Sequence, residues 1–174
     1  MLYSKLSKYS RHVNMAISDK AATKAAPTER KSIMKISARN QFKGTVSNVA
    51  EGAVNGVVTI AFEGYQMKAD ITMESIKALG LAEGVEAYAV IKASNVMFAA
   101  GSEPVANISA RNQLVGTIES IKEGAVNGHV SLKLADGNKV TGSITNEAIE
   151  ALGLEEGSAA VAIVKSTDVL VAVD

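Results

Sequence analysis

A chain of 174 residues is long enough for one medium domain or two small ones, and 47% hydrophobic residues suffice for a core. Only 4% are aromatic, there is no cysteine, and the histidines are His12 and His129, which excludes disulfides, thiolate metal sites, cysteine nucleophiles and histidine-rich metal centres. The net charge of zero conceals a basic start: residues 1–35 carry six Lys and two Arg against Asp19 and Glu29, a balance of +6 that leaves −6 on the rest.

An acidic body is a poor general binder of nucleic acid, whose affinity rests on basic residues meeting phosphates. No apolar run is long enough to cross a bilayer, and the basic start is not followed by the apolar stretch of a secretory signal, so a cytoplasmic protein is expected.

Residues 1–33 are rich in Lys, Ser, Ala and Thr and poor in large apolar residues, and read as a disordered tail. Met15 and Met34 both stand where translation could begin, so a mis-assigned start is an alternative. Beyond the tail the chain repeats itself. "ISARNQ" at Ile36–Gln41 returns letter for letter at Ile108–Gln113, and "EGAVNG" at Glu51–Gly56 returns at Glu123–Gly128, both offset by 72. From "ALGL" onward the offset is 73, and the extra residue falls where "EGY" faces "ADGN", so a turn between strands is expected there. Two homologous modules follow, 36–100 and 107–174, joined by a linker at 101–106.

Each copy has a β texture. "VVTIAF" and "HVSLKL" read as strands preceded by Asn-Gly, "MKADI" and "KVTGSI" as returning strands, and "VEAYAVIKASNVMFA" and "AAVAIVKSTDVLVAV" as two final strands broken by a polar step. Between them "TMESIKALG" and "TNEAIEALG" read as one short helix: Thr72 and Thr145 cap it, Ile76, Leu79, Ile149 and Leu152 form its apolar face, and Gly80 and Gly153 stop it. The fold class expected is mainly β: two tandem barrels of the oligonucleotide/oligosaccharide-binding type, each with five strands and one short helix. Barrels this small are marginal alone, so pairing and oligomerisation are expected.

Catalysis is not expected. There is no repeated histidine, no carboxylate pair at an active-site spacing, and no GxxxxGK[ST] loop for nucleotide phosphates. The polar groups that repeat are hydrogen-bond donors. Residues 36–174 hold ten Lys and Arg, and Arg39, Arg111, Lys92 and Lys165 stand at matching positions in the two copies. Ser37 and Ser109 sit two residues before the arginines. Either lysine alone suits a snorkelling strand end and either arginine a surface ion pair, but the repetition of all four favours a shared ligand. Thr72 and Ser75 add two hydroxyls beside exposed helix amides; Thr145 keeps the first, and Ala148 replaces the second. Donors without a carboxylate suit a fully deprotonated oxyanion and discriminate against a protonated one, whose proton would lack an acceptor.

The strings "SARNQ…G", "VNG", "ITMES…LGL…EG" and "VIKAS", with "ITNEA…LGL…EG" and "IVKST" in the second copy, resemble the Mop or TOBE modules of molybdate-binding proteins, here in the arrangement of a two-domain molbindin. The resemblance covers about 36–174. It implies OB-like barrels that pair by strand exchange and a homo-oligomer, a trimer of two-module chains, with molybdate or tungstate held between modules for storage and homeostasis. Carried over by position, the first copy offers Ser37, Ala38 (main chain), Arg39, Thr72, Ser75, Lys92 and Ala93, and the second Ser109, Ala110 (main chain), Arg111, Thr145, Lys165 and Ser166. Molybdenum would be bound as its oxyanion, with no direct protein ligand to the metal. Asn55 and Asn127 are candidates for the family's second type of site, near the three-fold axis, although plain hairpin geometry accounts for them better. Alternatives are a molybdate-sensing module acting with a partner protein and, ranked lower, an OB-type nucleic-acid binder. The latter wants aromatic platforms, whereas Phe42, Phe62, Tyr65, Tyr88 and Phe98 have no aromatic counterparts in the second copy.

Overall fold

The computed structural model describes residues 36–174; the tail expected at 1–33 lies outside them. Each copy opens with a twelve-residue strand, β1 (Asn40–Glu51) or β6 (Asn112–Glu123). A hairpin leads into β2 (Asn55–Phe62) or β7 (Asn127–Lys133), and a tight turn into β3 (Tyr65–Thr72) or β8 (Lys139–Thr145). The short helices α1 (Met73–Ala78) and α2 (Asn146–Ala151) precede β4 (Glu86–Ile91) and β9 (Ala159–Val164). The polar step is a single 3₁₀ turn, Ala93–Asn95 or Ser166–Asp168, before β5 (Met97–Ala100) or β10 (Leu170–Ala172).

The last strands change places. One sheet runs β10-β4-β1-β2-β3 and the other β5-β9-β6-β7-β8, so each copy completes the other's five-stranded sheet. Phe98 lies opposite Ala162 in the second sheet, and Val171 opposite Ala89 in the first. One apolar core therefore runs through both modules, from the stacked rings of Phe42 and Phe62 (5.0 Å between centroids) to Val130, Leu132 and Val164. The exchanged strands fit unequal seats. A Cβ on Gly142 would run into the Phe98 ring, while the equivalent positions of the other half hold Ala69 and Val171. A large side chain over a small one in one half matches two medium ones in the other.

The expected turn falls where the copies differ in length: Glu63 and Gly64, both at positive φ, join β2 to β3, and Asp136–Asn138 with Gly137 at positive φ joins β7 to β8. Thr72 and Thr145 cap their helices by accepting from the amides of Ser75 and Ala148, both at 3.1 Å, and Gly80 and Gly153 follow at positive φ. Ile76 and Ile149 are buried and Leu79 packs half-buried against the core, but its counterpart Leu152 is exposed.

The Asn-Gly pairs are not hairpin turns. Asn55 and Asn127 begin β2 and β7, with Gly56 opposite Glu51 and Gly128 opposite Glu123. Neither glycine has positive φ; a Cβ on Gly56 would lie 2.6 Å from Ile76 Cδ1 and one on Gly128 2.5 Å from Ile149 Cδ1. Glycine is required because the helix sits directly on the strand. The linker is pinned to the second sheet, since the Gln113 side chain accepts from the Val105 amide at 2.6 Å and donates to its carbonyl at 3.0 Å.

Candidate oxyanion-binding site

The register of the sheets gathers part of the expected donor set. Asn40 pairs with Ile91 at the edge of the β1–β4 ladder, which sets Ser37, Ala38 and Arg39 beside Lys92 and Ala93. Asn112 pairs with Val164 in the same way and sets Ser109, Ala110 and Arg111 beside Lys165 and Ser166. Ser37, Arg39, Lys92, Ser109, Arg111 and Lys165 are exposed, Ser166 is half-buried, and Ala93 is buried. Among the described residues the ion pairs are Lys43–Glu86 and Lys139–Glu119, so the four matched cations hold their charge without a carboxylate partner. The 3₁₀ turn that follows each lysine presents its first amides at the same corner, closing with Asn95 N–H donating to the Lys92 carbonyl at 2.9 Å and Asp168 N–H to that of Lys165 at 3.0 Å.

The hydroxyl pair lies elsewhere. Thr72 is opposite Asn55, at the end of the sheet where β1 finishes, whereas Arg39 is where β1 begins. Twelve residues of strand separate the two ends by roughly 35 Å of path. Thr72 and Ser75 do meet each other, hydroxyl to hydroxyl at 2.9 Å, and Thr145 faces Ala148 alone. The partner copy does not close the gap: Asn40 meets Thr141, four residues short of Thr145, or roughly 13 Å of strand. One chain thus carries two Arg/Lys corners and two separate threonine caps.

Two site residues were missed in the sequence although the repeat displayed them. Asn40 and Asn112, at 1% and 2% exposure, each bridge to a strand of the other copy. The Asn112 amide accepts from Lys68 N–H at 2.7 Å and donates to the Lys68 carbonyl at 2.9 Å; Asn40 does the same to Thr141, at 2.7 and 2.8 Å, and also donates to the Ile91 carbonyl at 3.2 Å. Each side chain imitates a peptide group, pairing with a strand of the other module and fixing the adjacent arginine against it. Their signal was identity in both copies, inside the repeated Ser-Ala-Arg-Asn-Gln string.

Between the modules, beside Arg111 and Ser166, runs a groove of about 600 Å³ whose other wall includes Thr59, Lys68 and Asp70. Its contents are hydroxyls, amides and charges of both signs.

Comparison with known proteins agrees with this architecture. The TOBE domain model matches residues 36–98 and again 108–171. The molybdenum-pterin-binding protein MopA of Rhodobacter capsulatus is 41% identical over 87% of this chain and 57% of its own length, and the molybdenum transport protein ModE of Azotobacter vinelandii 43% identical over 80% and 52%. The chain therefore spans about half the length of these curated relatives. A crystal structure of the cytoplasmic molybdate-binding protein ModG with molybdate bound superposes with a TM-score of 0.78 at 46% identity, over 81% of this chain and 100% of that one. The chain belongs to the TOBE-domain family and carries two copies of that domain in tandem.

Proposed function

We propose that the chain reversibly binds molybdate, or tungstate, as an intact oxyanion, serving molybdenum storage and homeostasis in the cytoplasm. The observation that carries this reading is the duplicated corner in which Ser, Arg and Lys stand beside main-chain amides, with neither cation of either corner paired to a carboxylate among the described residues, in a chain 46% identical to molybdate-bound ModG. Donors alone match an anion that only accepts hydrogen bonds. The proposed ligand set is Ser37, Ala38, Arg39, Lys92 and Ala93 with Ser109, Ala110, Arg111, Lys165 and Ser166, completed by Thr72, Ser75 and Thr145. Because caps and corners lie apart within one chain, each site is completed by another copy, in a homo-oligomer with three two-module chains as the proposed assembly. Exposed apolar side chains stand beside each half: Ile36 and Ile108 before the serines, and Val54 and Val126 at hairpins whose carbonyls accept from the first helix amides. Contact between copies would bury them. The modules are taken as 36–100 and 107–174 about a 101–106 linker. The match to half of ModE supports a second reading, a molybdate-sensing module acting with a partner.

Titration calorimetry with molybdate, with sulfate and phosphate as controls, tests the proposal alongside mass measurement by light scattering. Saturable binding of more than one molybdate per chain by an oligomer, with weak sulfate binding, is expected. No heat from an assembled protein would refute it.

A further inference from the structure

The two corners are not chemically equal. At the second, Lys68 of β3 and Arg111 line the same groove, together with Ser166. The Lys68 main chain is held by Asn112, the neighbour of Arg111, so the stems of the two cations are fixed relative to each other. Lys68 is half-buried and, among the described residues, forms no ion pair. Two like charges facing one groove repel unless an anion lies between them. Asp70, whose carboxylate accepts from Asn55 Nδ2 at 3.2 Å, lines the groove too and offsets one of the two charges, which leaves the groove net positive.

At the first corner the equivalent positions are filled differently. Asn40 holds Thr141 where Asn112 holds Lys68, and Ala93 stands where Ser166 does. The next outward-facing cation on β8, Lys139, is engaged by Glu119 at 2.6 Å. Lys122 lies two positions along β6 from Ser120, toward the hairpin tip.

We infer that Lys68 is a further oxyanion-binding residue, present at the Arg111 corner and absent from the Arg39 corner, so that each chain carries two unequal sites for a doubly charged tetrahedral oxyanion. The inference rests on the functional reading above and adds to it an order of filling: the corner with Lys68 and Ser166 loads first, and its affinity falls more steeply with salt.

The test is titration of the full chain with sodium molybdate at low and moderate ionic strength, comparing wild type with Lys68→Thr and Thr141→Lys. Each substitution installs the residue that the other copy already carries at the same strand position, and the asparagine clamp uses only main-chain atoms there, so both variants should fold and assemble. Wild type should show two classes of site. Lys68→Thr should weaken the tighter class by roughly tenfold and flatten its salt dependence, leaving the other unchanged; Thr141→Lys should tighten the weaker class by a similar factor. A single class in wild type, or an unchanged isotherm for Lys68→Thr beside normal wild-type binding, overturns this inference and leaves the functional reading standing. No molybdate heat from assembled wild type overturns both.

Discussion

Replacing Asn112 by alanine should cost far more stability than the loss of one small polar side chain suggests. Asn112 is 2% exposed and satisfies both main-chain groups of Lys68, at 2.7 and 2.9 Å. Each neutral hydrogen bond contributes about 1 kcal/mol net, and a donor or acceptor left buried without a partner costs about 1–3 kcal/mol. Lys68 borders the groove, so water can reach part of the gap, which places the total at about 2–4 kcal/mol. For a unit of this size that corresponds to a fall in melting temperature of roughly 6–12 °C. Urea denaturation measures it as a lower midpoint at unchanged slope. The isosteric Asn112→Asp keeps an acceptor for Lys68 N–H but turns an oxygen toward the Lys68 carbonyl. It should be destabilised at neutral pH and should recover as the carboxyl protonates on acidification and can donate again. A cost below about 0.5 kcal/mol for Asn112→Ala would refute the claim that this amide joins the copies.

The exchanged strands supply a second prediction. Phe98→Val should cost about 2–3 kcal/mol through the cavity over Gly142, and Gly142→Ala about 1–3 kcal/mol through overlap with the ring. Made together they reproduce the Ala69–Val171 combination, so the double variant should be more stable than the sum of the single costs by at least about 1 kcal/mol in a denaturation cycle; additivity would show that the two residues do not share a seat. Gly56→Ala, whose Cβ would sit 2.6 Å from Ile76 Cδ1, should lower the melting temperature by an amount that Ile76→Val partly restores; if Gly56→Ala melts like wild type, the helix does not rest on the strand as described.

The features legible in the sequence are those set by neighbours along the chain. Thr72 and Gly80 announce the helix ends because caps depend on residues within one turn. The 72-to-73 change of offset locates the β2–β3 turn because loops absorb insertions. The Asn-Gly pair misled for the opposite reason: its glycine answers to Ile76, twenty residues away, and not to a turn. The role of Asn40 was hidden because its partner, Thr141, is in the other copy. Alternation along "MFAA" or "VLVAV" tells which face a residue uses and nothing of which sheet the strand joins, so strand exchange came from the family resemblance alone. Lys68 was passed over because it does not repeat, and absence from the repeat is what now sets it apart.

The trading of β5 and β10 has a consequence for how the protein behaves on dilution. Two separate modules that swap strands must find each other, and their pairing weakens as protein concentration falls. Here both partners sit on one polypeptide across a few linker residues, at an effective local concentration on the order of millimolar. Pairing within the chain is therefore independent of how much protein the cell makes, and of the two levels of assembly only the proposed association of whole chains would respond to abundance.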